Sequence, residues 1–178
     1  MSREILFKAK RANWRELPKE EWWIEGNLVW SNDSFEEYRA IIIPKENSNM
    51  FLDSEENDLG FEVWHIVDPE TVCQYTGLTD INKNKIWESD IVFAEHTRYE
   101  KESKEDYMLL PETVEYTRNY AIEFVNKGSH CGYRCRNKSI HFAISGNTIY
   151  NHKIAVIGNI FDNPELLKDG QQPESPIT

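Results

Sequence analysis

Apolar side chains recur at every second position over short runs of this chain, and no segment carries a long, clean 3.6-residue apolar period. Ile5, Phe7 and Ala9 alternate with Leu6, Lys8 and Lys10, which predicts an opening strand with one face better suited to a core. After a polar link containing Pro18, the aromatic and β-branched run Trp22 to Trp30 predicts a second strand, with Gly26 as a bulge or bend. Arg39 to Ile43 predicts a third, stopped by Pro44. The acidic, Asn- and Ser-rich stretch from Lys45 to Asp58 reads as a loop.

Further along, Phe61 to Val67 has strand composition and ends at Asp68-Pro69, because proline fixes φ and cannot donate to a ladder. Thr71 to Thr76 reads as a short extended piece, Gly77 permits a positive φ, and Asp80 to Lys85 is a polar turn before Ile86 to Ala94. Glu95 to Asp106 alternates charge sign without an apolar stripe and reads as a loop; the competing reading is a solvated helix. Tyr120 to Val125, Ser139 to Ile144 and Ile154 to Ile160 predict the last strands, and Pro164 to Leu167 one helical turn.

Short β-rich runs separated by turn signals argue for a mainly β fold, a small barrel or packed antiparallel sheets with little helix. The alternative is an α+β domain with one helix around Thr97 to Leu110. At 178 residues the chain can bury one sizeable core or two small ones. We expect one domain over residues 1–167 and a disordered tail over 168–178, where Gly170, Pro173 and Pro176 cluster.

Composition narrows the function classes. With 39% hydrophobic and 12% aromatic residues the bulk of the chain is not disordered, and no apolar run is long enough to cross a bilayer. An odd number of cysteines, 3, gives no disulfide framework and suits a reducing, cytoplasmic setting. The net charge of −11 is segregated: residues 16–123 hold nine basic and 26 acidic side chains, whereas residues 124–161 hold five basic and none acidic. Either those cations form a basic face, or they pair with the acidic middle segment of the same or a neighbouring chain.

Three blocks carry a resemblance. Arg3 to Arg11 followed by Trp23-Ile24-Glu25-Gly26-Asn27-Leu28-Val29, then Asp68 to Asp80 running on through Ile86-Trp87-Glu88-Ser89-Asp90-Ile91-Val92, and finally Ile157 to Leu167, together resemble the YopX family of phage and prophage proteins. Where that family usually has glycine this chain has Cys73 and Ser89, and the family's Asn-Gly turn reads Asn82-Lys83, so any positive φ there falls on less comfortable residues. The resemblance implies a phage-encoded, mainly β protein that self-associates and has no established enzymatic activity. It supplies no catalytic residues.

The residues themselves offer little chemistry. Gln74, Tyr75, Thr76 and Asp80 beside Trp87 are the candidate ligand groove, against the simpler reading that they and the Asp68-Pro69 turn are folding signals. His130, Cys131, Cys135 and His141 have zinc-ligating side chains but poor spacing, and we expect no metal and no cofactor. Trios such as Cys73, His65 and Asp68 lack a nucleophile elbow, and no phosphate-binding Gly-rich loop occurs, so no enzyme is expected.

Lys127, Tyr133, Arg134, Arg136 and Lys138 are the alternative nucleic-acid candidates, although period-two alternation puts Tyr133 on the face opposite Arg134 and Arg136. The adjacent Trp22 and Trp23 point to opposite faces if both lie in a strand, which would leave one for another subunit. The expected role is a non-enzymatic accessory protein that self-associates and binds a phage or host protein. An acidic decoy of a host nucleic-acid-binding protein is a further alternative.

Overall fold

Phe7–Lys10 forms β1 and sits between two partners, which take up the backbone N–H and C=O groups along its two edges. It pairs antiparallel with β2 (Trp23–Trp30) and with β7 (Cys73–Thr79). These coordinates are a computed structural model that describes residues 4–30, 40–46, 49–53, 58–100, 112–128, 130–138 and 140–168. The chain divides into two units, Met1–Gly77 and Leu78–Thr178. The fold is mainly β, with antiparallel sheets and, among the described residues, no closed barrel and one short α-helix.

In the first unit the strands lie in the order β6 (His65–Ile66), β3 (Ala40–Pro44), β2, β1, β7. Phe7 and Ala9 share a face with Ile24 and Leu28, and there Ala9, Ala40, Ile42 and Val67 form the core. The alternation predicted for the opening run holds at Phe7 and Ala9 but not at its start, where Leu6 is buried and Ile5 exposed. No bulge occurs at Gly26, whose register with Phe7 and Pro44 is regular. Its requirement is space: a Cβ there would lie 2.1 Å from the Ile43 carbonyl oxygen. Gly26→Ala is therefore expected to force β2 and β3 apart and cost about 3 kcal/mol, read as a lower urea midpoint.

The stretch read as a polar loop contains β4 (Met50–Asp53), paired with β5 (Asp58–Phe61) as a hairpin. Its polar and acidic flanks masked the short apolar run Met50-Phe51-Leu52. Only His65–Ile66 of the run Phe61 to Val67 is a strand of the larger sheet. Asp68 behaves as the sequence suggests, its Oδ1 accepting from the Glu70 N–H (3.1 Å) to cap a 3-10 turn over Pro69–Thr71.

The second unit opens with a tight turn into β8 (Lys85–Trp87) and a second turn at Glu88-Ser89, so the predicted strand from Ile86 to Ala94 is broken in two. Its sheet has the order β12 (Ile140–Ala143), β11 (His130–Asn137), β10 (Glu112–Lys127), β9 (Asp90–Glu100), β13 (Ala155–Asn159). β9 includes Glu95 to Glu100, where alternating charges suggested a loop, since pairing with β10 supplies the ladder. Residues 101–111, the rest of that loop or helix, lie outside the described residues, as do 169–178 of the expected tail.

Ile86, Val92, Ala94, Tyr120, Ile122, Cys135, Ile144, Ile149 and Ile154 build the core on one sheet face. α1 (Gly146–Asn151) was not predicted, being too short and too rich in Gly and Asn for a helical period. Ser145 caps it, its Oγ accepting from the Thr148 N–H at 3.2 Å. No helix among the described residues is long and apolar enough to cross a membrane.

The family glycine positions repay attention. Ser89 has φ 66 and Lys83 φ 71, so two of the three substituted sites do hold left-handed backbone; Cys73 does not. Gly77 has φ 81, as its sequence position suggested. Asn159 closes the last strand with its Oδ1, which accepts from the N–H groups of Phe161 (3.0 Å) and Asp162 (2.9 Å).

Candidate functional site

Of the polar cluster proposed for ligand binding, Gln74, Tyr75 and Thr76 lie on β7 in the first unit, and Asp80 and Trp87 belong to the second. Thr76 is buried, Gln74 is half-buried in register with Phe7, and the Tyr75 N–H donates to the Leu6 carbonyl at 2.9 Å. Asp80 is 2% exposed and both its oxygens are engaged. Oδ1 accepts from the N–H groups of Asn82 and Asn84, each at 2.8 Å, and Oδ2 from Val156 N–H (3.0 Å) and Asn84 Nδ2 (3.1 Å). Burial alone would raise its pKa, but these donors hold the carboxyl below the usual value. Trp87 is buried and its N–H donates to Asp90 Oδ2 at 2.8 Å. These partners make Asp80 and Asp90 organisers of the turns on either side of β8.

The basic segment is largely answered by acids of the middle segment. Glu123 on β10 faces Arg134 across the ladder and accepts from Arg134 Nε and from Arg136 Nη1, the latter at 3.1 Å. Both arginines hold the Glu123 carboxyl below its ordinary pKa against the opposing effect of burial. Lys153 pairs with Glu95 at 2.5 Å. Lys127 ends β10 and is exposed, and Lys138 occupies a turn at φ 49, out of the alternation that carries Arg134 and Arg136. Tyr133 lies on the opposite face against Phe124, with ring centroids 5.2 Å apart.

Cys135 is buried, which pushes its thiol up to about 12 and disfavours a ligating thiolate, while Cys131 is exposed. The side chain of His130 lies outside the described residues.

A cluster that sequence reasoning missed gathers at the end of the second unit's core. His96 on β9 stacks on Tyr116 (5.1 Å between centroids), meets Phe142 edge-on, and shares a hydrogen bond between Nε2 and the Tyr120 hydroxyl at 2.9 Å. His152, just after α1, lies 4.7 Å from His96 between ring centroids, and its Nδ1 donates to the Glu95 carbonyl at 2.9 Å. Burial, then His152, then Arg118 lower the pKa of His96, and burial first of all pushes Tyr120 up to about 12. The available signal was phase, since His96 continues the period-two series of Val92 and Ala94. It was hidden by the charged residues between them and beyond.

The two units define a mainly β protein assembled from antiparallel meanders whose buried carboxylates serve its turns. The chain belongs to the YopX family, whose model, described as YopX protein, matches residues 14–168. Among solved structures it is similar to protein EF1440 from Enterococcus faecalis, at 22% identity and a TM-score of 0.52, covering 94% of this chain and 100% of the other. That likeness shows the fold. No curated protein matches the chain.

Proposed function

We propose that this chain is a phage- or prophage-encoded accessory protein of the bacterial cytoplasm that works by binding and self-association and not by catalysis. The observation that carries the reading is the set of large apolar side chains left at the surface of regular strands. Trp30, at the end of β2, is 53% exposed, and Phe124 on β10 is 45% exposed, with Met50 and Phe51 on β4 and Ile140 on β12 also exposed. A strand position has a fixed direction, so such side chains are presented and not merely mobile. The phage setting and the lack of chemistry are what the family resemblance implies. A nucleic-acid role for residues 124–161 draws less support, because Glu123 and Glu95 already answer Arg134, Arg136 and Lys153.

Native mass spectrometry and light scattering from micromolar to high-micromolar concentration test this. The expected result is a whole-number multiple of 21.0 kDa with no added mass. A monomer at every concentration, or a monomer carrying nucleic acid, would overturn it.

A further inference from the structure

The segment that follows α1 is fastened to β9 by a compact set of bonds. The Glu95 N–H donates to the His152 carbonyl at 2.7 Å, His152 Nδ1 returns a bond to the Glu95 carbonyl, and Lys153 pairs with the Glu95 carboxylate. From there β13 runs back along β9, with Ala155 opposite Phe93. One side of this fastening is solvated ionic contact; the other is the His96 ring, pressed between Tyr116, Tyr120, Phe142 and His152.

We propose that His96 is an acid-sensitive latch, neutral and packed at pH 7 and, once protonated, releasing the α1–β13 segment from β9. Three features of the geometry carry this. Protonation places a charge 4.7 Å, centroid to centroid, from a second imidazole. It also adds a like charge on the sheet face that Arg118 occupies, since Arg118 on β10 lies opposite Ala94, two residues before His96. Thirdly, neutral His96 can donate to or accept from Tyr120, but a protonated ring has only N–H donors, so the Tyr120 hydroxyl must become the acceptor.

The titratable and charged groups facing the ring are Tyr116, Arg118 and Tyr120 from β10 and His152 after α1; the Glu95 carboxylate, one residue before His96 on β9, projects from the opposite strand face and pairs there with Lys153. Beyond them, Glu115 acts on Lys153 and Cys135 on Tyr120. The carboxylates are engaged with Lys153 on the outer side, so they do not supply the ring with a counter-charge from within.

The sign follows from linkage. A histidine whose folded pKa lies below its unfolded value of 6.5 contributes its full stability above pH 6.5, and that stability is lost as pH falls through 6.5 towards the folded pKa. Within this unit the loss should be local, since the ring's partners on β10, Tyr116 and Tyr120, precede the ladder that pairs Ala121 to Lys127 with β11.

The test is amide hydrogen exchange of the full chain at pH 7.5 and pH 5, each rate divided by the intrinsic rate at that pH. The expected result is that protection of the Glu95 and Ala155 amides falls by about tenfold more than that of the Glu123 and Arg134 amides. In His96→Gln, whose side-chain oxygen can accept from Tyr120 without titrating, the difference should disappear. An undiminished acid loss in that variant would assign it to another group. Equal protection changes across both sets in the unsubstituted protein would overturn the proposal without recourse to any variant.

Discussion

Replacing Asp80 with alanine is expected to destabilise the second unit by about 3 kcal/mol, the largest effect of any single carboxylate in the turns around β8. The substitution removes the acceptor of three backbone N–H groups and one side-chain amide at once. Two of those backbone donors, on Asn82 and Asn84, belong to exposed residues and can turn to water, which keeps the cost below the sum of four lost bonds. The Val156 N–H is partly buried at the start of β13 and has no such freedom. Asp80→Asn should cost about half as much. Its Oδ1 can still serve Asn82 and Asn84, while its amide nitrogen meets the Val156 N–H donor to donor. Because the folded pKa of Asp80 is lowered from 3.8, its contribution is present above that value and lost as pH falls through the folded pKa. Urea midpoints between pH 7 and pH 2.5 should therefore fall less steeply in Asp80→Ala than in the parent on the acid limb. Equal slopes would mean that the carboxylate contributes through shape and not through charge.

The same aspartate marks where sequence reading works in this chain and where it stops. Local signals were legible: the Asp68-Pro69 turn, read as a folding signal, is capped by the Asp68 carboxylate, and the polar turn read over Asp80 to Lys85 is present, closed by bonds to the Asp80 carboxylate. The third partner of Asp80, Val156, is 76 residues away, and nothing in the local sequence announces it. Strand ends failed for a related reason. Glu95 to Glu100 has no apolar stripe, and its extended form comes from the β10 ladder, which a local pattern does not contain. The Trp22-Trp23 pair is instructive in the same way. Read as consecutive strand residues they should point apart, but Trp22 is helical in backbone (φ −64, ψ −43) and lies just before β2. Both rings then come within reach of Lys10, 4.8 and 5.6 Å from its Nζ. The opposed faces that suggested another subunit for one of the pair therefore do not arise, and both rings are half-buried.

That arrangement makes Lys10 the second position of large expected effect. Lys10 is 3% exposed, and its ammonium sits over Trp14 at 4.0 Å as well as beside the other two rings. The rings are themselves held, Trp14 meeting Trp22 edge-on at 4.7 Å and Trp22 Nε1 donating to the Leu17 carbonyl at 2.9 Å. The Lys10 backbone is equally committed, its N–H donating to Thr71 Oγ1 (2.9 Å) and its carbonyl accepting from Asp68 N–H (2.8 Å). Cation–π attraction is worth about 2 kcal/mol where the ion is desolvated, and removal of the stem beyond Cβ adds a cavity term. Lys10→Ala is thus expected to cost about 4 kcal/mol, and Lys10→Met, which keeps the stem but not the charge, about 2 kcal/mol. A neutral Lys10→Met would reduce the site to packing. The decisive measurement uses the cavity itself, since propylammonium replaces the part of the side chain that alanine lacks. Added to Lys10→Ala, it should raise the urea midpoint saturably, whereas sodium chloride at equal ionic strength should not, because only the organic cation can stand among the three rings.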